Sequence, residues 1–146
     1  MIVYTVGFTG KTAEQFFSLL KNSGVRIVID VRLNNSSQLS GFAKKKDLAF
    51  FLKEICDIQY RHVPNLAPTE EILKMYKNGS MTWEQYEERF NNILQSRHIE
   101  KIIDAELLDG YCFLCSEHSP KYCHRRLVVE YLKKHLSRPF EIVHLL

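Results

Sequence analysis

Short apolar runs alternate with amphipathic segments along the first half of the chain. Residues 2–6 are mostly apolar or β-branched, which predicts a short buried strand. Residues 25–31 are almost entirely β-branched and apolar, as is typical of a central strand in a parallel sheet. Between them, Thr12 and Gln15 have capping-box spacing and predict the start of a helix, which Gly24 ends.

The same alternation continues to the end of the chain. Helices are predicted at 44–56, 69–77, 82–96, 99–107 and 122–136, and further strands at 58–63, 111–115 and 140–145. The apolar face of the 44–56 helix is predicted to consist of Leu48, Phe51, Leu52 and Ile55. Residues 32–43, which include Asn, Ser and Gly, predict a loop long enough to carry function.

This order of elements predicts a fold class. Strands alternating with helices indicate a three-layer α/β/α fold with a mostly parallel five-stranded sheet, similar to the Rossmann fold. Right-handed crossovers and a long helical return after the third strand favour a strand order near 3-2-1-4-5. The topological switch point then lies between strands one and four. We expect residues 1–146 to form a single α/β domain.

Composition and charge narrow the class of protein. Apolar residues make up 45% and charged residues 25%, which is ordinary for a globular protein, and the net charge of +3 is too small to require a nucleic-acid partner. No apolar stretch approaches the roughly 20 residues of a membrane helix, and residues 2–6 lack a basic segment before them. Four cysteines without a secretory signal favour reduced thiols and a cytoplasmic location.

Reactive side chains concentrate after the fourth predicted strand. Cys115 ends that strand and Glu117 follows it, while Cys123, His124 and Arg125 open the next helix. We expect Cys115 or Cys123 to act as a nucleophile or redox thiol, because both leave the core at a strand or helix end. The positive helix end and Arg125 would favour a thiolate at Cys123. Glu117 and His124 are the candidate acid, base or orienting groups, the alternative for Glu117 being an ion pair with an arginine.

The first two strands bring further polar groups to the same edge of the sheet. Gly7 and Thr9 belong to a loop before a helix N-terminus, which is suited to binding an anion. Asp30 and Arg32 end strand two, where Asp30 is a candidate for moving protons or orienting groups. We expect Arg32, together with Arg125, to hold a negatively charged ligand. The alternative is that Asp30 and Arg32 form a structural salt bridge.

Two familiar motifs are incomplete. The segment Gly7-Phe8-Thr9-Gly10-Lys11-Thr12 has two residues between its glycines where a P-loop has four, which disfavours nucleotide hydrolysis. Cys112 and Cys115 are three apart in a strand and should face opposite sides, so Cys112, like Cys56, is expected to pack as a small apolar residue. Cys115, His118, Cys123 and His124 could close a metal site. Because no second cysteine pair with matching spacing is present, we predict neither a metal nor a cofactor.

Over nearly its full length the chain resembles the domain of unknown function 488 family. The matching pieces are T-V-G-F-T (5–9), V-I-D-V-R (28–32), Ser36-Ser37 with Gly41-Phe42, Tyr60 with Pro64 and Leu66, and Leu114, Cys115, Glu117, Cys123, His124 and Arg125. The resemblance implies a three-layer α/β domain with a site at these strand ends, which adds Ser36, Tyr60 and Pro64 to the candidate ligand-binding residues. It implies no established reaction.

The chain departs from the family pattern at two places. Members usually carry Pro and then Ser-Arg after Asp-Val-Arg, whereas this chain has Asn34-Asn35-Ser36-Ser37. They usually have glycines after Pro-x-Leu, whereas this chain has Ala67-Pro68. The loss of an arginine and of a flexible turn bears on which ligand the site prefers.

Together these features predict an anion- or phosphate-binding crevice at the strand carboxyl ends, working as a thiol-dependent transferase or hydrolase. The alternatives are a non-catalytic module that binds nucleic acid or a phosphorylated ligand, and a structural metal-binding protein. Rhodanese-like or cysteine-phosphatase chemistry is disfavoured, because the first arginine lies ten residues after Cys115 instead of within a short anion-binding loop. The expected partner is a small anion or a nucleic-acid phosphate, and not a membrane. The substrate and the oligomeric state stay open.

Overall fold

The computed structural model describes the backbone of all 146 residues and the side chains of residues 1–37 and 41–146. Its strands are β1 (Ile2–Gly7), β2 (Ile27–Asp30), β3 (Gln59–His62), β4 (Tyr111–Cys115) and β5 (Glu141–Leu145). Its α-helices are α1 (Ala13–Lys21), α2 (Lys45–Phe51), α3 (Glu70–Lys77), α4 (Trp83–Ser96) and α5 (His124–His135). Short 3₁₀ turns lie at Pro64–Leu66, Ile99–Lys101 and Ala105–Leu107.

The five strands form one parallel sheet in the order β3-β2-β4-β1-β5, which confirms the predicted fold class. The order is close to the predicted 3-2-1-4-5, with β1 and β4 exchanged. All five residues of β4 are buried, as expected of a central strand covered on both faces. Its register places Cys115 beside Gly7 of β1 and Leu114 beside Asp30 of β2.

Helices cover both faces of the sheet. On one face α1 and α2 pack against side chains that include Val6, Val28 and Cys112. On the other, α3, α4 and α5 pack against a larger cluster that includes Phe113 and Cys115. Cys112 and Cys115 therefore face opposite sides, as strand alternation predicts, and Cys112 is fully buried in the core.

The predicted 44–56 helix differs from the observed one at its end. Helix α2 stops at Phe51, and one π-helical turn, Leu52–Cys56, continues it to Asp57 in the left-handed region. A π turn contains more residues than an α turn and rotates later side chains off the apolar face. Leu52 is therefore buried as predicted, whereas Ile55 is 44% exposed, contrary to the prediction.

The helix starts follow the sequence closely. Thr12 and Gln15 form a reciprocal capping box at α1, and Thr82 and Gln85 form another at α4. The residues at 99–107 form two 3₁₀ turns instead of the predicted continuous helix.

In the described part of the chain, no helix has the length and apolar character needed to cross a membrane.

Truncation of the largest fully buried side chain of the central strand should be costly. Phe113 is fully buried in β4, so Phe113→Ala should lower the free energy of unfolding by about 3–5 kcal/mol. Phe50→Ala is the matched control, because Phe50 is 60% exposed and its loss should change stability by less than about 1 kcal/mol. Urea denaturation of both variants measures the difference. Equal losses would contradict the assigned core.

Candidate functional site

A cavity of about 320 Å³ opens at the carboxyl end of the sheet. Cys115, Cys123, His124 and Arg32 supply its chemically active groups. Aromatic side chains supply much of the remaining wall, namely Phe8, Tyr76, Trp83, Tyr86 and Tyr122. The volume lies near the lower end of the range for small-molecule sites, and the location agrees with the general position of ligand sites in open α/β sheets.

At the centre of the cavity, Cys115 faces His124. Cys115 is the last residue of β4 and His124 the first of α5, and Cys115 Sγ lies 3.6 Å from His124 Nδ1. The other ring nitrogen, Nε2, lies 2.7 Å from the carbonyl oxygen of Val31. Because a carbonyl oxygen only accepts hydrogen bonds, Nε2 carries a proton and Nδ1 is turned toward the sulfur. The ring is thus held in the orientation that a cysteine–histidine pair requires.

Electrostatics favour charge separation within this pair. Contact with the Cys123 thiol, and then the charge and hydrogen bond of His124, hold the pKa of Cys115 well below its usual value despite burial. Burial opposes a charge on His124, but the Cys115 thiolate and its hydrogen bond outweigh that cost and raise the pKa of the imidazole. The lowered pKa of Cys115 and the raised pKa of His124 favour the same charge-separated state of the pair. They describe a thiolate at Cys115 beside an imidazolium at His124.

Cys123 occupies the N-cap position of α5, as predicted, but its thiol behaves differently from Cys115. Arg125 Nη1 lies 3.4 Å from Cys123 Sγ, which by itself would favour a thiolate. Interaction with the Cys115 thiolate, followed by burial, instead raises the pKa of Cys123 well above its usual value. Of the two candidate thiols, these pKa shifts therefore favour the thiolate form at Cys115 and the neutral form at Cys123.

Cys115, Cys123 and His124 also have the arrangement of a partial metal site. Their ligand atoms all lie within 4.8 Å of one another. His118, the fourth candidate ligand from the sequence, is exposed, and its Nδ1 lies 3.2 Å from Lys11 Nζ instead. The described side chains thus offer three donors at this point, which leaves a fourth position open for water or substrate if a metal binds.

Arg125 does not line the cavity. Its guanidinium is fully buried and donates to the carbonyl oxygens of Glu117 and His118 and, from Nε at 3.4 Å, to the Thr5 hydroxyl. These bonds tie the loop after β4 to β1. Gly7 permits this close approach, since a Cβ there would lie 1.6 Å from the Glu117 carbonyl oxygen. Arg125 and Gly7 therefore shape the loop that carries the cavity wall, a role different from the predicted ligand contact.

Asp30 and Arg32 form a buried two-point salt bridge, with Nε–Oδ1 and Nη2–Oδ2 distances of 2.9 and 2.7 Å. Asp30 also accepts hydrogen bonds from Tyr60 at 2.6 Å and Asn35 at 3.3 Å. Burial opposes its charge, but the hydrogen bonds and charge of Arg32 outweigh that effect and lower the pKa of Asp30. The carboxylate therefore stays ionised, and it already accepts hydrogen bonds from Arg32, Tyr60 and Asn35. This arrangement suits a positioning role better than proton transfer.

One nitrogen of the Arg32 guanidinium makes no hydrogen bond to the described residues. Its Nη2 also donates to the Ala43 carbonyl at 2.7 Å, and its guanidinium lies 5.1 Å from the centre of the Phe8 ring. Among the described residues, Nη1 is a buried donor without a hydrogen-bond partner. A buried unpaired N–H is costly, so a ligand that accepts from it would gain an interaction.

The remaining predicted residues lie around the cavity. The exposed Glu117 lines it, but Arg125 contacts its backbone carbonyl and not its carboxylate, while Arg126 pairs with Glu130 at 2.9 Å. Thr9 is exposed, and its backbone N–H donates to the Ser116 carbonyl at 3.0 Å. Of the seven predicted ligand-binding residues, Arg32 belongs to the cavity lining, and the other six lie outside it, namely Gly7, Thr9, Ser36, Tyr60, Pro64 and Arg125.

Sequence reasoning missed several parts of the site. The Val31 carbonyl has no side-chain signature, and Asn35 was noted only as a departure from the family pattern. Trp83 is at a helical spacing that is typical of core residues, but it is the first residue of a capped helix and lines the cavity. Tyr122, immediately before Cys123, is 53% exposed at the same place. Their positions at helix starts facing the carboxyl end of the sheet were the available signal.

The comparisons with known proteins identify a family. A family model described as domain of unknown function DUF488 matches residues 12–132, so the chain belongs to this family. The matched span begins after β1 and ends within α5, and it includes Cys115, Cys123 and His124. Neither the curated proteins nor the solved structures gave a match.

Gly7 should tolerate no side chain. In Gly7→Ala the new Cβ would overlap the Glu117 carbonyl, which Arg125 holds in place, so we expect a loss of at least about 2 kcal/mol of stability. The control is Gly24→Ala, whose Cβ would meet the terminal hydroxyl of Tyr4, a group that can move aside. Thermal denaturation compares the two. The assignment is wrong if Gly24→Ala costs as much as Gly7→Ala.

Proposed function

We propose that this member of the domain of unknown function 488 family is a thiol-dependent enzyme that acts on an anionic, electrophilic substrate. One observation carries the proposal: Cys115 Sγ lies 3.6 Å from His124 Nδ1, while the Val31 carbonyl orients the same imidazole from its other side. A thiol that ends a strand, faces a cavity and is paired with an oriented base has the arrangement of an activated nucleophile.

The pair can carry both halves of a group-transfer reaction. The Cys115 thiolate attacks an electrophilic carbon atom of the substrate, forming a covalent bond through Sγ. The bond to the leaving group breaks, and the leaving group takes the proton from Nδ1 of His124. Water or another acceptor then gives a proton back to Nδ1 as it attacks the intermediate, which releases the product and restores the thiolate.

The charges around the cavity support an anionic substrate. Asp30 neutralises Arg32, and the Cys115 thiolate neutralises the His124 imidazolium. Arg125 adds a buried positive charge, whose acceptors are neutral oxygens and the Cys123 sulfur. Among these buried groups, Arg125 is thus the positive charge left without a counter-ion, while the exposed carboxylate of Glu117 adds a negative charge to the cavity lining, where solvent screens it. The unpaired Nη1 of Arg32 offers a donor to the same ligand.

A second candidate is a metal centre held by Cys115, Cys123 and His124. The observation that favours it is the 3.6 Å sulfur–nitrogen separation, since tetrahedral zinc with bonds of about 2.3 Å to sulfur and about 2.0 Å to nitrogen gives a similar spacing. The His124 contact to a backbone carbonyl is also usual for a metal-bound histidine. Two thiolates and a dication leave the same net charge as the thiolate–imidazolium pair, so charge alone permits both arrangements.

Alkylation should reveal the activated thiol. At neutral pH, iodoacetamide should label Cys115 faster than Cys56, whose pKa is raised by burial. Because the Cys115 pKa is lowered, its thiolate persists below the ordinary thiol pKa of about 8.5 and is lost only as the pH falls through the lowered value. In His124→Gln the midpoint should move upward and the rate at neutral pH should fall at least about tenfold. Peptide mass mapping measures each rate.

Two comparisons keep this test specific. Cys112 is fully buried in the other face of the sheet and should stay unlabelled in the folded protein. Far-UV circular dichroism checks that His124→Gln is folded. If Cys115 reacts no faster than Cys56, or if its pH profile is unchanged in folded His124→Gln, the thiolate proposal should be abandoned.

Metal analysis separates the two candidates. A metal centre predicts one equivalent of zinc or a similar ion in protein purified without chelator, lost in Cys123→Ser, with Cys115 labelling accelerated when a chelator is added. The thiol enzyme predicts substoichiometric metal and labelling that a chelator does not change. Elemental analysis and the alkylation assay, run on the same preparation, measure both properties.

A further inference from the structure

One wall of the cavity is a continuous aromatic surface. Trp83 stacks on Tyr86, with ring centres 4.8 Å apart and planes 19° apart. Tyr122 meets Trp83 edge to face at 5.6 Å and is 53% exposed. All three rings line the cavity that contains Cys115. Packing in the hydrophobic core accounts for the position of the buried Tyr86. It does not account for the exposed ring of Tyr122 beside Trp83.

The same cavity offers a second aromatic ring and an unsatisfied donor. Phe8, from the loop after β1, also lines it, and the Arg32 guanidinium lies 5.1 Å from the centre of that ring. Arg32 is only 5% exposed and lines the cavity, and its Nη1 is buried without a partner among the described residues. A ligand that fills this space can therefore contact aromatic faces and an arginine donor at once.

We propose that the substrate carries a planar aromatic ring and an anionic group, as a nucleotide does, with the ring on Trp83 and Tyr122 and the anion at Arg32. This inference deepens the proposed function and rests on it. Stacking of a base on aromatic side chains contributes about 1–3 kcal/mol, and guanidinium groups are well suited to phosphate. A nucleotide supplies both contacts within one molecule.

The charges argue against the other usual occupant of an aromatic wall. Aromatic surfaces bind quaternary ammonium groups through cation–π contacts. Here Asp30 offsets the charge of Arg32, and the Cys115 thiolate offsets the charge of His124. The buried Arg125, which contacts Cys123, is the positive charge left without a counter-ion near the cavity, and it disfavours a cation. A purely apolar ligand would leave Arg32 Nη1 unpaired. The anionic aromatic class satisfies both features.

The chain contains its own reporter for this contact. Trp83 is its only tryptophan, so intrinsic tryptophan fluorescence reports on the cavity wall alone. Adenosine 5′-monophosphate should quench this fluorescence in a saturable way. Adenosine, which lacks the anion, and inorganic phosphate, which lacks the ring, should each bind at least about tenfold more weakly. This comparison measures both contacts in the unmodified protein.

Variants assign the contacts to residues. Tyr122→Ala should weaken adenosine monophosphate binding about tenfold, because one stacking partner is removed. The matched control is Phe50→Ala, since Phe50 is 60% exposed, close to the 53% of Tyr122, but lies in α2 and outside the cavity lining. Its loss should leave affinity unchanged. Arg32→Lys keeps the positive charge but loses the planar guanidinium with its several N–H donors. It should reduce binding of the nucleotide more than binding of adenosine.

A second probe distinguishes the sources of this chemistry. Phenyl phosphate carries a ring and an anion but no ribose or nucleobase. Binding as tight as that of adenosine monophosphate would identify a simple aromatic anion, and much weaker binding would identify a nucleotide; both support the proposed class. The proposal is overturned if neither probe quenches Trp83 at millimolar concentration, or if Phe50→Ala weakens binding as much as Tyr122→Ala.

The fate of Cys115 separates this inference from the proposed function. If the ligand class and the mechanism are both right, adenosine monophosphate will slow the alkylation of Cys115. If Cys115 is activated but no aromatic anion binds or protects it, the substrate class is wrong and the thiol mechanism stands. If the nucleotide binds but Cys115 is an ordinary thiol, the thiol mechanism is wrong and the aromatic anion site stands.

Discussion

Arg125 is the constraint on which the rest of the site depends. Its guanidinium is fully buried, and neutral acceptors receive its hydrogen bonds: two carbonyls of the loop after β4, the hydroxyl of Thr5 and the sulfur of Cys123. A buried charge is tolerated only when its hydrogen bonds are made, so this loop cannot move away without a large penalty. This single requirement fixes the position of the loop after β4 and the start of α5. It also requires a glycine at position 7, where the loop approaches β1 closely.

The observed strand order explains why the cysteine has a partner. With β4 between β2 and β1, the end of β4 is flanked by the ends of both neighbours. The backbone N–H of Val31 donates to the Leu114 carbonyl, and the Val31 carbonyl binds His124. In the order 3-2-1-4-5, β4 would border β1 and β5, and the segment after β2 would lie one strand further from Cys115. The exchange of the two strands therefore brings the segment after β2 next to Cys115 and His124.

Sequence patterns predicted the structural features that depend on residues close together in the chain. The two capping boxes, the fourth strand, the opposite facing of Cys112 and Cys115, and the placement of Cys123 before a helix depend on neighbouring residues, and the structure has them. The exposed Ile55 and the strand exchange depend on a π turn and on long crossovers, which no short pattern encodes. The difference in pKa between Cys115 and Cys123 could not be predicted from sequence either, because it depends on the backbone carbonyl that orients His124 and on a coupling between two sulfurs.

The contact between His124 and the Val31 carbonyl joins residues 93 positions apart in the chain. In the unfolded chain these two residues are far apart, and His124 meets the Val31 carbonyl only when α5 packs beside the ends of β2 and β4. A chain in which α5 has not docked lacks the oriented imidazole, so its cysteines have the pKa of ordinary thiols. The lowered pKa of Cys115 is therefore a property of the folded protein alone.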